Sequence, residues 1–430
     1  MKNTFLRIST VVFVAIISAF LGLIISYNYL NSKFISTGNN IQNNQEFITK
    51  ILKVDELMKN RFFGSLTDAT VIDGMIDGYI KSTGDLFASY IHKSDYKNYL
   101  KYATDGTVNT VGIIASPDKD GNLSVKTVLS GSPAYKAKLQ TGDVITEING
   151  SSVNKMSYLA ALGKLVLSAD ATVDITWLRN GMSFSATLEF NSDYSGKSVV
   201  YGIFSSENSN FVNADSSEDI KRVLYVSIKY FDATTPDMLL EIVSKESVAG
   251  LPIIIDLRNN FGGDIDSLQK SADIFVPAGI LFNVVTTAEP ANDDNSTPYY
   301  SDQNEVSVPI AVLVNENTAK EAEVFALIIK EYEKGSIIGT KTAGIASIQS
   351  LIDLGDETAL CITTRCYSLP KNGSFSEAGI TPTYEVASSS VNFEKLATKD
   401  DAQLLAALLN FGLKYEEQPA DPNLPEVPTT

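Results

Sequence analysis

Between Pro309 and Gln349 the chain reads strand, turn, helix and strand, a layout that exposes residues at a helix N-terminus. The apolar run Pro309–Val314 ends in a polar turn, Asn315–Asn317. Helical spacing follows, with Val324, Phe325, Leu327 and Ile328 on one face. Gly335 breaks that pattern, and Ile337, Ile338 and Gly339 lead into a second extended run ending at Gln349. A buried strand feeding directly into a helix is the building unit of an α/β core. Free backbone N–H groups at the start of such a helix can stabilise an oxyanion. Two further runs join this block: Val223–Phe231 alternates as a strand, and Leu251–Asp264 reads as a buried strand followed by a glycine turn.

At 430 residues the chain is long enough for more than one domain. Its formal charge of −17 argues against nucleic acid as a partner, since phosphate contacts need clustered Lys and Arg. Cys361 and Cys366 make no disulfide framework. Their odd separation puts them on opposite faces of one strand, as small apolar groups. The single histidine, His92, lies in a polar stretch, so a Ser-His-Asp triad, a metal centre or any cofactor has no support in the sequence.

Lys2 and Arg7 precede Ile8–Ile25, an almost wholly apolar run followed by Tyr27, Asn28 and Tyr29. Its length suits a bilayer, and no small-residue cleavage pattern follows it. The expectation is a signal anchor in residues 1–30, with the bulk of a single-pass cell-membrane protein outside. Residues 31–45 read as an Asn-rich linker and 46–105 as a helical region. Residues 106–190 read as one domain, 191–415 as the core and 416–430 as a disordered, acidic, Pro-rich tail. Thr286–Val306, rich in Asp, Asn, Ser and Pro, reads as a mobile loop over the site.

Within Val108–Phe190 stand Val111-Gly112-Ile113-Ile114, Gly131-Ser132-Pro133-Ala134, and the run Gly142-Asp143-Val144-Ile145 to Ile148-Asn149-Gly150. The glycines sit where tight turns need them. This region resembles a PDZ domain of the bacterial type. The resemblance implies capture of a protein's C-terminal tail, its carboxylate held by backbone N–H groups of Val111–Ile114. Lys138 stands where family members usually carry glycine.

Over nearly the whole chain after residue 45, the sequence resembles the carboxyl-terminal processing peptidases, or tail-specific serine proteases. Asp256-Leu257-Arg258-Asn259-Asn260-Phe261-Gly262-Gly263 is similar to their D-L-R-N-N-P-G-G signature, with Phe261 replacing proline. The fold implied is α/β (α+β): a helical N-terminal arm, an inserted PDZ domain and a ClpP/crotonase-like peptidase core. Gly262, Gly263 and the N–H of Glu323 would form the oxyanion site. Asp73–Tyr90 is similar to the family's helix and turn, and reads as scaffold.

The family's dyad is a serine activated by a lysine, with glutamine four residues after the lysine. Aligned on V-N-x-G-[ST]-A-S-A-S-E, with the last serine attacking, the nucleophile position falls on Ala322. The base position falls on Ile345, and Gln349 is retained. Alanine has no hydroxyl and isoleucine accepts no proton. Lys320, two residues earlier on the helix, is expected to point away, and Ser347 shares a strand face with Ile345 and Gln349. The resemblance thus implies a tail-binding pseudoprotease, alone, as a homo-oligomer or paired with an active paralogue. The alternative is an active tail-specific endopeptidase using displaced residues.

Overall fold

The buried runs assemble as strands in the computed structural model, which describes residues 45–105, 111–168, 171–190, 196–207, 210–215, 219–246, 250–286, 295–302, 305–375, 378–387 and 400–416. Two units separate, Met1–Met75 and Ile76–Thr430. In the first, helix α1 (Gln45–Arg61) buries none of its residues, and α2 (Asp68–Lys81) begins there. The expected membrane-spanning helix requires correction. Among the described residues no helix is long and apolar enough to cross a membrane, and Ile8–Ile25 lies outside them, as do 31–44 and 417–430.

The second unit holds the end of α2, then α3 (Tyr96–Asp105) and the antiparallel sheet of the PDZ region. Its strands are β1 (Ile113–Pro117), β2 (Leu123–Val128), β3 (Val144–Ile148), β4 (Thr172–Arg179) and β5 (Met182–Glu189), paired in that order with β1 at an edge. Helix α4 (Tyr158–Lys164) covers the sheet, its first turn capped by the Ser157 hydroxyl. Alternation places Leu123, Val125, Val173, Ile175 and Trp177 in one core. Buried Asp143 is paired with Arg179 at 2.7 Å, a tie between β3 and β4 that no motif announced. Arg179 also donates to the carbonyl of Lys138, which holds Lys138 at φ 63°. A lysine in the left-handed region is strained by about 1 kcal/mol. Lys138→Gly is therefore expected to raise the denaturation midpoint by up to about 1 kcal/mol equivalent, read by urea unfolding.

The core strands follow as β6 (Val199–Ser205), β7 (Arg222–Ile228), β8 (Ile253–Asp256), β9 (Gly279–Val285), β10 (Ser296–Ser301), β11 (Ile310–Val314), β12 (Gly335–Gly339), β13 (Ser347–Asp353), β14 (Ala359–Ser368) and β15 (Tyr384–Glu385). One sheet runs β15-β12-β11-β8-β7-β6, parallel except for β6. Its period of two divides the core between two faces. Ile253, Ile255, Val312 and Val314 pack with α5 (Thr235–Glu246), α6 (Ile265–Asp273) and α7 (Glu321–Glu331). Ile254, Ala311, Leu313 and Ile338 pack on the other face with α8 (Ala402–Asn410). Strands buried on both faces are continuously apolar, as IIID and IAVLV are.

A second sheet contains β9, β10, β13 and β14 with the short strand Ser89–Ile91. Part of the expected loop Thr286–Val306 is therefore strand: Ser296–Ser301 pairs with Gly279–Val285, and Tyr299 stacks on Phe282 at 4.7 Å. Residues 287–294 lie outside the described residues. Cys361 is buried and Cys366 half-buried, both as free thiols.

Candidate functional site

The carboxyl ends of β8 and β11 lie side by side, and the loops leaving them form the site. Such ends are where open α/β sheets place their ligands. Below the loops, Arg258 is clamped by Asp256 at 2.7 Å and Asp401 at 2.7 Å, all three fully buried. Tyr225 donates to Asp256 at 2.7 Å, closing the network. Above it, the Asn315 side chain accepts from Asn259 N–H and donates to the Asn259 side chain, while Ala319 N–H reaches the Asn260 carbonyl. The two loops are thereby held as one piece.

Two glycines carry the turn. Gly263 lies so close to Phe231 that a Cβ would sit 2.0 Å from its carbonyl oxygen. At Gly262, with φ 97°, a Cβ would sit 2.1 Å from Glu321 Oε2. The occupant of the space beside this turn is thus a side chain of the protein itself. Gly263 N–H donates to Glu321 Oε2 at 2.8 Å, and Tyr367 O–H donates to Oε1 at 2.5 Å.

Lys320 sits at the start of α7 with φ 53° and ψ −122°, a conformation that turns its side chain away from the helix and into the cavity. Its ammonium donates to Gln349 Oε1 at 2.7 Å and lies 4.4 Å from the centre of the Phe87 ring. Burial holds the Lys320 amine below the ordinary lysine range, while Glu321 acts in the opposite direction. Gln349 also donates to Ser347 Oγ at 3.0 Å and Thr363 Oγ1 at 3.1 Å. These groups face a cavity of about 300 Å³ whose far wall is Ile114–Pro117 of β1 and Tyr158, Leu159 and Leu162 of α4.

The expected site residues are distributed unevenly around this cavity. Gly262, Gly263, Gln349 and Ile114 line it. Ala322 does not: it is fully buried in the hydrophobic core, on the inner face of the helix. The expectation that Lys320 points away fails for the same geometric reason, because the N-cap backbone departs from helical angles. Glu323 is fully buried, and its carboxylate accepts from Gly344 N–H at 2.8 Å, Ile345 N–H at 2.9 Å, Lys320 N–H at 3.2 Å and the Thr342 hydroxyl. Burial pushes this carboxyl up, against those hydrogen bonds. Glu323 therefore fastens the segment carrying Ile345 to the head of α7, and Ile345 itself is half-buried. Val111, Gly112 and Ile113 are buried at the head of β1, where Gly112 takes φ 78°. Phe87 falls within the segment expected to serve as scaffold, yet its ring forms part of the site.

Peptidase family S41 matches residues 222–386 and the PDZ domain matches 104–176. The probable CtpA-like serine protease of Staphylococcus saprophyticus is 25% identical over 336 residues, covering 77% of this chain and 64% of that protein. That of Staphylococcus aureus strain COL is 26% identical over 379 residues, covering 87% and 70%. The chain therefore spans about two thirds of these relatives. Among solved structures, the photosystem II D1 C-terminal processing protease superposes with a TM-score of 0.60 at 24% identity, over 78% of this chain and 86% of that one, a likeness of fold. A PDZ domain with an S41 core defines the class. Within it, the chain is similar to the carboxyl-terminal processing proteases.

Proposed function

We propose that this chain is a catalytically inactive member of its family that binds protein C-terminal tails. The observation that carries this reading is the head of α7, which offers the cavity a lysine and a glutamate and no hydroxyl. The family pattern has two serine positions in this turn, corresponding to Lys320 and Ala322. Of the two, only Lys320 enters the cavity, so we assign it the nucleophile position, with Ile345 at the base position. Glu321 Oε2 accepts the Gly263 N–H, a donor that an oxyanion would need. Nucleophile, base and oxyanion donor are then all lost together. Tail capture by the backbone of Val111–Ile114 is supported by the open edge of β1.

The purified protein is expected to leave unfolded substrates with apolar C-termini intact over hours, followed by mass spectrometry. A second reading draws on the chain Lys320–Gln349–Ser347, which connects a lysine amine to a cavity-lining hydroxyl through one amide. It predicts slow cleavage that disappears in Ser347→Ala and in Lys320→Ala. Cleavage with that signature replaces the first reading by the second.

A further inference from the structure

We propose that the cavity at the head of α7 is itself a receptor for a free carboxylate, with Lys320 as its cationic anchor and apolar peptide tails as its ligands. This inference rests on the tail-binding reading above but assigns the terminal carboxylate to a different place from the Val111–Ile114 backbone.

Charge bookkeeping around the cavity motivates it. Two of the lining residues are ionisable at neutral pH, Lys320 and Glu321. The Glu321 carboxylate is already engaged by Gly263 N–H and the Tyr367 hydroxyl. Lys320, by contrast, contacts a neutral amide oxygen and an aromatic face, and among the described residues it has no carboxylate within ion-pair distance. A second ammonium, Lys126 on β2, lies 5.9 Å from the centre of the Phe261 ring, the same distance as Lys320. Phe261 thus carries two cations, and burial disfavours the charged form of both. A buried cation with no carboxylate at ion-pair distance favours an arriving anion, which restores the lost solvation with a charge-assisted hydrogen bond.

The remaining walls select what carries the anion. Leu159, Leu162, Ile348 and Leu351 are apolar, while Ile114–Pro117 belongs to an edge strand. A small inorganic anion would leave that apolar surface uncovered. A peptide ending in aliphatic residues would cover it while presenting its carboxylate to the lysine. About 300 Å³ accommodates two to three such residues.

The test is fluorescence anisotropy on the full chain, with a labelled peptide ending in Ala-Leu-Val and a free carboxylate, and the same peptide amidated. The proposal expects the free-acid peptide to bind, amidation to weaken it about tenfold or more, and Lys320→Met to weaken it equally while making the variant indifferent to amidation. Lys320→Arg keeps the charge and should retain discrimination between the two peptides. Thermal unfolding of each variant verifies that it is folded. Binding by Lys320→Met that still discriminates against amidation overturns this inference and leaves the carboxylate to the PDZ loop. Absence of binding by the wild-type chain to either peptide overturns tail binding as well.

Discussion

Hydrolysis is expected to return only when three positions change together: Lys320→Ser, Glu321→Ala and Ile345→Lys. Serine at 320 would place a hydroxyl where the lysine side chain now enters the cavity. Lysine at 345 would supply a base on the segment that Glu323 fastens to the same helix head. Alanine at 321 would remove the carboxylate that accepts from Gly263 N–H and free that donor for a carbonyl oxygen. General base catalysis contributes about 10²–10⁴-fold and one oxyanion donor about 10²–10³-fold. Each double variant lacking one element should therefore fall at least about a hundredfold below the triple variant. Such groups act as a unit, and their effects are strongly non-additive. Ala322→Ser with Ile345→Lys should stay inactive, because residue 322 faces the core. Its buried hydroxyl would instead cost about 1–3 kcal/mol of stability. Activity in that pair and none in the triple variant would return the nucleophile position to residue 322.

The larger stability effect is expected at Arg258. Removing one member of a buried ion network leaves its partners charged and desolvated, at a cost of about 3–5 kcal/mol. Arg258→Met should therefore shift the urea midpoint by that order, and should detach α8, since Asp401 both binds Arg258 and caps that helix. The pH dependence follows from Asp256. Burial alone would raise its carboxyl, but the charge and hydrogen bonds of Arg258 overcome this and hold it below the usual range. A carboxylate depressed on folding stabilises the protein above its unfolded value, and this is lost as pH falls through the folded value. Wild-type stability should consequently drop as the solution is acidified below the ordinary aspartate range. In Arg258→Met that part of the slope should flatten. A variant within about 1 kcal/mol of wild type would show that the network contributes specificity and little stability.

Much of this architecture is legible before any coordinates. The run Gly142–Gly150 marks its turns because only particular residues tolerate those backbone angles, and φ at Gly142 and Gly150 is 92° and 70°. IIID and IAVLV declare parallel strands by being apolar on both faces. What the sequence conceals is direction and distance. Residues 320 and 322 both match a serine position, and periodicity assigns them opposite faces. Which face meets the cavity is decided by the N-cap angles of Lys320, to which no pattern is sensitive. Phe87 reads as a turn residue, because its contact with Lys320 joins segments 233 positions apart. The strand Ser296–Ser301 is missed for a different reason. Its composition, STPYYS, is that of a loop, and it is held by pairing with β9 and by Tyr299 on Phe282. Glu321 escapes notice because a glutamate in the first turn of a helix is ordinary. Only its contact with Gly263 makes it an obstacle.

The proposed inactivity requires that no hydroxyl lining the cavity be activated for attack. A fluorophosphonate probe, which phosphonylates activated serines irreversibly, tests this without need of a substrate. Intact-mass and peptide-level mass spectrometry after incubation should show the wild-type chain unmodified and the triple variant labelled at residue 320. Stoichiometric labelling of the wild-type chain at Ser347 would contradict the claim and establish a displaced active site.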